Sequence, residues 1–252
     1  MWAPRVMDLA AIRRIEGLEH LENRAYDAPD PRIHPNLTHL SQVMEPAIEQ
    51  VAENVYSAVG FDSSNSTFVV GTDGIVVIDA MTSIENMHNA LTAFRAISDL
   101  PVKGIVYTHS HGDHWGGAPA LCDPSAAVAG EVTVIAHRIL LDEIARINGY
   151  NQPIMGARGA YQFGAYLPSG AEGMVNSGLG PFLPFNETAG LVPPNTLVDD
   201  RIEITVAGVR MEIVWVPSEA PDEIVVWLPE HGVLQSAECV QGECYPNLYT
   251  IR

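Results

Sequence analysis

Thr108-His109-Ser110-His111-Gly112-Asp113-His114-Trp115-Gly116-Gly117 places three imidazoles and a carboxylate within six positions, directly after the apolar run Val102–Thr108. Imidazole nitrogen and carboxylate oxygen together suit Zn²⁺ and related ions. At a strand end, residues two apart point the same way, so His109 and His111 can serve one metal. Asp113 and His114, on the turn that follows, can serve a second. Gly112 lets the backbone turn sharply, and Gly116 and Gly117 keep the next turn free of side-chain bulk. Four potential ligands at this spacing set the run apart from a loop that happens to be rich in His.

Outward from this run, the pattern is that of a layered α/β domain. Upstream, Val55–Val59, 66–71 and 75–79 read as short strands, with Gly71-Thr72-Asp73-Gly74 as the hairpin turn between the last two. Thr82 or Ser83 can cap a helix running to about Ile97. A helix is expected to start near Trp115, and another to cover 138–148. Residues 149–195 are rich in Gly, Pro and Asn without a period and read as a long functional loop. Strands return at 201–207, 209–216, 224–228 and 233–236. At the N-terminus, Val6, Leu9, Ile12, Ile15, Leu18 and Leu21 recur at helical spacing, which predicts an amphipathic helix over 6–25. An irregular arm with a short helix at 41–49 follows it. The expected organisation is therefore an N-terminal helix and arm, 1–50, and a catalytic domain, 51–252.

Composition limits the functional classes. The chain has 252 residues, 47% of them hydrophobic, enough for a sizeable core. A net charge of −18 excludes general nucleic-acid binding and requires any anion site to be locally basic. Lys103 is the sole lysine. The three cysteines, Cys122, Cys239 and Cys244, give neither a disulfide framework nor a zinc-ribbon spacing. No apolar run reaches the roughly 18 residues of a membrane span. Met1-Trp2-Ala3-Pro4-Arg5 does not read as the start of a signal peptide, which leaves a cytoplasmic protein or a mature periplasmic or secreted form.

His109-Ser110-His111-Gly112-Asp113-His114 resembles the signature of the metallo-β-lactamase superfamily, and 65–70 and 74–79 resemble its opening strands. The resemblance runs from about residue 50 to the end. It implies an αββα sandwich, two central mixed sheets with helices outside, and gives Asp79 a supporting role in orienting ligands. On sequence alone Asp79 reads equally as a strand-end turn residue. Most members place a His where this chain has Pro217-Ser218-Glu219-Ala220-Pro221, and an Asp where it has Ser236-Ala237-Glu238-Cys239. That double substitution, with Ser218–Glu223, Ala237-Glu238 and Asn247-Leu248-Tyr249-Thr250-Ile251-Arg252, resembles the alkyl sulfatase branch, which hydrolyses long-chain alkyl sulfate esters. By that match Glu219 completes the first metal site and Glu238 bridges both. Asp113 and Glu238 take catalytic parts, and Asn247, Tyr249 and Arg252 bind substrate. The implied cofactors are two Zn²⁺, the substrate is a small alkyl sulfate, and a homodimer is left open.

The same branch implies a chain that continues past Arg252, with a further His for the second metal, a helical dimerisation region and a lipid-carrier-like domain. On that expectation the catalytic domain is incomplete and the second site, with Asp113, His114 and Glu238, binds more weakly or takes water. Two other readings stand beside it. One is a lactonase, thioesterase or β-lactamase of the same superfamily, against which the Glu219 turn speaks. The other is a truncated, non-catalytic metal-binding module. An apolar channel for an alkyl chain is expected from Ile154, Met155, Tyr161, Phe163, Tyr166, Leu167 and Met174, residues that read equally as packing the loop down.

Overall fold

The structure is a computed structural model that describes residues 3–21, 30–178, 180 and 187–240. Twelve strands and six α-helices are found among the described residues. The strands are β1 (Arg5–Met7), β2 (Ala47–Ala52), β3 (Val55–Val59), β4 (Ser66–Val70), β5 (Ile75–Ile78), β6 (Val102–Val106), β7 (Thr133–His137), β8 (Thr196–Val198), β9 (Arg201–Val206), β10 (Val209–Trp215), β11 (Ile224–Leu228) and β12 (Val233–Gln235). The helices are α1 (Leu9–Ile12), α2 (Pro35–Val43), α3 (Ile84–Phe94), α4 (Pro124–Val128), α5 (Leu140–Ala145) and α6 (Gln152–Phe163). None is long and apolar enough to cross a membrane.

Strands β1 to β8 form one sheet in chain order and β9 to β12 a second. The first is mixed: β1 to β5 pair antiparallel, and β5 to β8 parallel. The second is antiparallel throughout. Strand β5 shows why the central strands form where they do. All four of its residues are buried, so its sequence is a continuous apolar run covered on both faces. Val76 and Ile78 join the cluster between the two sheets, with Met211, Ile213, Ile224 and Val226. Ile75 and Val77 face the other way, into the cluster under the helices. Each such side chain contributes about 1.5–3 kcal/mol by leaving water.

Helix α3 covers that second cluster. Ser83 caps it, its hydroxyl accepting from the Asn86 amide, and Met87, Ala90, Ala93 and Phe94 make its buried face. Phe94 stacks on Phe68 of β4 with ring centroids 4.2 Å apart. The buried faces of α1, α3, α4 and α5 all enter this cluster. On the outer side of the second sheet Arg201, Glu203, Arg210 and Glu212 form an exposed ladder of ion pairs. The layers seen among the described residues are thus helix, sheet and sheet.

The N-terminal segment differs from the expected helix over 6–25. Residues 5–7 are a strand, and one helical turn capped by Asp8 follows. Successive i to i+3 turns then end in Ile15, Leu18 and Leu21. Leu9, Ile12, Leu18 and Leu21 do bury, so the apolar spacing is real, but Gly17 at φ +89° breaks any continuous helix. The expected helix at 41–49 is also replaced: α2 ends at Val43, and β2 occupies Ala47–Ala52. Because β2 crosses residue 50, the arm and the remainder share one sheet. No α-helix starts at Trp115. Gly117 donates its N–H to Ala80 and Met81 carbonyls instead, leaving short 3₁₀ turns at Gly112–His114 and Ala118–Ala120. The helix expected at 138–148 is shorter, α5, and runs into a π-type turn at Arg146–Tyr150. The stretch read as loop holds α6, which ends on Gly164 in the left-handed conformation.

Candidate metal centre

Strand β6 delivers Thr108, His109 and Ser110 to its carboxyl end, all fully buried. The turn at Gly112–His114 swings Asp113 and His114 back beside them. Its path needs glycine: a Cβ on Gly116 would lie 2.0 Å from the Thr82 carbonyl oxygen, and one on Gly117 2.3 Å from that of Ala80. The second sheet supplies the other wall. Glu219 lies on the turn between β10 and β11, and Glu238 just after β12.

Two groups of candidate ligands result. In the first, the ligating atoms of His109, His111, Glu219 and Glu238 lie within 4.8 Å of one another. His109 Nε2 is 3.0 Å from His111 Nδ1, which is 2.7 Å from Glu219 Oε1. In the second, Asp113, His114 and Glu238 meet the same limit. His114 Nε2 is buried without a hydrogen-bond partner, while Glu238 Oε1 and Asp113 Oδ2 lie 3.4 and 3.6 Å away. A buried nitrogen without a hydrogen bond is costly and rare. A lone pair aimed at two carboxylates fits a cation between them, and the donor set of imidazoles and carboxylates suits Zn²⁺ and related ions. Asp79, Glu219 and Glu238 thus all stand beside the His run, and Glu238 belongs to both groups.

Asp79 fixes the orientation of His114. Its Oδ1 accepts from the Thr108 amide at 2.8 Å, and its Oδ2 lies 2.9 Å from His114 Nδ1. That pairing keeps the proton on Nδ1 and turns the Nε2 lone pair toward Asp113 and Glu238. Asp79 itself sits at φ +64°, where Asp and Asn are tolerated better than most residues. Burial alone would lower the pKa of His114, but the carboxylates of Asp79 and Asp113 hold it well above the ordinary value. Burial lowers His109 well below its ordinary value, aided by the neighbouring imidazoles, and so favours the neutral ligating form. At His111 the loss of solvent is outweighed by Glu219, which raises it. Burial raises Glu219, but hydrogen bonds with His111 and Glu238 and the charges of His111 and His114 together more than reverse this.

Several supporting residues escaped the sequence reading. Asp62, almost fully buried, accepts from the Thr82 amide and hydroxyl and from Asn86, tying the 61–65 loop to the start of α3. That loop holds Asp113: Ser64 donates to its carbonyl, and Ser63 Oγ is 3.4 Å from its Oδ2. Ser110, between two of the His, donates to Asp222 at 2.8 Å. Burial raises Asp222 to about 6 and Glu223 to about 7. A run such as Asp62-Ser63-Ser64-Asn65 between two strands was the available signal.

A cavity of about 530 Å³ opens beside the second group, lined by Ser63, Asn65, Asp113, His114, Gln235 and Glu238 among others. Another, of about 700 Å³, lies along α6 and is lined by Tyr161, Tyr166 and Leu167; the two share no lining residue. The residues expected to form an alkyl channel are therefore not brought to the metal-side cavity: Ile154 is exposed and Met174 is packed inside. Asn247, Tyr249 and Arg252 lie outside the described residues.

Residues 59–240 match the family described as the Metallo-beta-lactamase superfamily. The chain belongs to that superfamily. Within it, this member is similar to alkylsulfatases. It is 38% identical over 180 residues to a linear primary-alkylsulfatase of Pseudomonas sp. (strain ATCC 19151), covering 71% of this chain and 34% of the relative. It is 36% identical over 216 residues to an (R)-specific secondary-alkylsulfatase of Pseudomonas sp., covering 84% and 32%. Among solved structures, the stereoselective inverting sec-alkylsulfatase from Pseudomonas sp. superposes with a TM-score of 0.74 at 32% identity, covering 89% of this chain and 35% of that one. The chain thus spans about a third of the length of the curated relatives it matches.

Proposed function

We propose that this superfamily member carries the binuclear zinc centre of an alkyl sulfatase, cleaving alkyl sulfate esters to alcohol and sulfate. The observation that carries the reading is the pair Glu219 and Glu238, which stand against His109, His111 and His114 where most of the superfamily uses His and Asp. His109, His111 and Glu219 would hold one ion, Asp113 and His114 the other, and Glu238 both. Two such ions would supply a nucleophilic hydroxide near neutral pH and stabilise developing negative charge.

The chain's own groups do the rest. Asp79 holds His114 in the ligating tautomer. Asp113 and Glu238, on side chains 28% and 20% exposed, line the cavity and can accept hydrogen bonds from an attacking water. No Lys or Arg among the described residues lines that cavity. In a chain of net charge −18, the sulfate therefore needs positive charge from the ions and from Arg252, whose planar fork suits two sulfate oxygens. We assign Asn247 and Tyr249 to the same substrate-binding segment. The test is metal analysis of the purified protein combined with release of sulfate from dodecyl sulfate, alongside a β-lactam and a thioester. Protein free of metal would refute the centre, and metal without sulfate release would refute the sulfatase.

A further inference from the structure

Glu223 is an acidic side chain with no exposed surface, in the same turn as Glu219 but outside both groups of candidate ligands. Its two oxygens are divided between two loops. Oε2 accepts from the backbone N–H of Glu219 at 3.1 Å and lies 3.5 Å from that of Ala220. Oε1 accepts from the backbone N–H of Glu238 at 2.9 Å and from the Cys239 thiol at 3.4 Å. Both loops leave the same end of the second sheet, on either side of β11, which Glu223 immediately precedes. Glu219 follows β10, and Glu238 follows β12, with no strand pairing between those two segments. One carboxylate thus holds the backbones of both acidic members of the first group.

We infer that Glu223 is a positioning residue that presets Glu219 and Glu238 as a pair before a metal arrives. This rests on the metal centre proposed above, but not on which ester is cleaved. Four donors converge on the group, two on each oxygen, so above its raised pKa of about 7 both oxygens act as acceptors. Glutamine has the same length and nearly the same volume, yet replaces one acceptor by a donor. In either orientation its amide nitrogen confronts a buried backbone N–H, belonging to Glu219 in one case and to Glu238 in the other. The first group contains both of these ligands, so it loses a preset member whichever way the amide turns.

The test compares Glu223→Gln with wild type by competition for Zn²⁺ against a chromophoric chelator, and by the visible spectrum of the Co²⁺-loaded protein. Thermal unfolding of both metal-free proteins checks the fold. Zn²⁺ affinity at the first site is expected to fall at least about tenfold, with an altered Co²⁺ spectrum, as for other groups that orient ligands without binding metal. A folded variant with wild-type affinity and spectrum overturns the assignment and leaves the centre standing. Wild-type protein that binds no metal overturns both. Backbone hydrogen exchange of metal-free wild type gives an independent reading should the variant not fold. Protected amides at Glu219 and Glu238 without metal support presetting, whereas protection that appears only when Zn²⁺ is added overturns it.

Discussion

Asp79→Asn isolates the electronic role of one oxygen. The substitution keeps shape and suits the backbone, because Asn tolerates the left-handed conformation at φ +64° as Asp does. The new amide has one orientation that works. Its oxygen must stay opposite the Thr108 amide, which donates at 2.8 Å, so its nitrogen falls opposite His114 Nδ1. A donor there makes Nδ1 the acceptor and moves the imidazole proton to Nε2. That N–H then points at the space between Asp113 and Glu238, where a lone pair is needed. A second effect opposes the first: without the Asp79 charge the raised pKa of His114 falls, and protons compete less for the ring. The tautomer decides, because a less protonated imidazole is of no use to a metal when its free lone pair faces away. Loss of a partner of this type costs about 10–100-fold in metal affinity, or roughly 1.4–2.8 kcal/mol. Chelator competition measures it site by site, and the loss is expected at the Asp113–His114 group. Unchanged or tighter binding at that group would refute the reasoning, provided the variant melts like wild type.

Gly117→Ala drives a methyl to 2.3 Å from the Ala80 oxygen and 2.4 Å from the Ser83 oxygen, both backbone. It is expected to lose at least about 1–3 kcal/mol and to melt several degrees lower. Asp222→Asn removes a buried charge while keeping the acceptor for Ser110. The folded carboxyl titrates at about 6 against an ordinary 3.8, so the folded state holds the extra proton between those values. The stability penalty of wild type therefore grows as pH rises from about 4 to about 6 and is then constant. In metal-free protein the variant's stability relative to wild type should rise over that window by an amount on the order of 2–3 kcal/mol; urea melts that give a pH-independent difference would contradict it. His111 and His114, both raised by neighbouring carboxylates, keep protons that a metal must displace. Zn²⁺ binding should release protons and weaken as pH falls from 8 to 6, as read by calorimetry in buffers of different ionisation enthalpy.

The His run was legible because its ligands are neighbours in sequence, and a strand followed by a glycine turn is a local device. Glu219 and Glu238 were legible only by resemblance, since nineteen positions and a strand pairing separate them. Glu223 entered the reading only as part of the Ser218–Glu223 run, with no role of its own, and Asp62 not at all. One letter does not show burial, and both are defined by donors from distant segments. The central strands followed from their uninterrupted apolar runs. The N-terminal helix was misread because serial i to i+3 turns bury Leu9, Ile12, Leu18 and Leu21 at the same spacing as a helix would. Helix α6 left no trace because none of its residues is buried, so no apolar stripe marks its period.

That last feature reaches beyond assignment. Strands β7 and β8 lie side by side and parallel, yet the chain between them runs from Arg138 to Asn195. A parallel crossover needs only about a dozen residues. Helix α6, none of whose residues is buried, contributes little to either core, while further on Asn176 ties the segment to α2. The helix is thus an exchangeable cassette: its sequence can drift, or be swapped for a relative's, while the melting temperature stays where the two sheets set it.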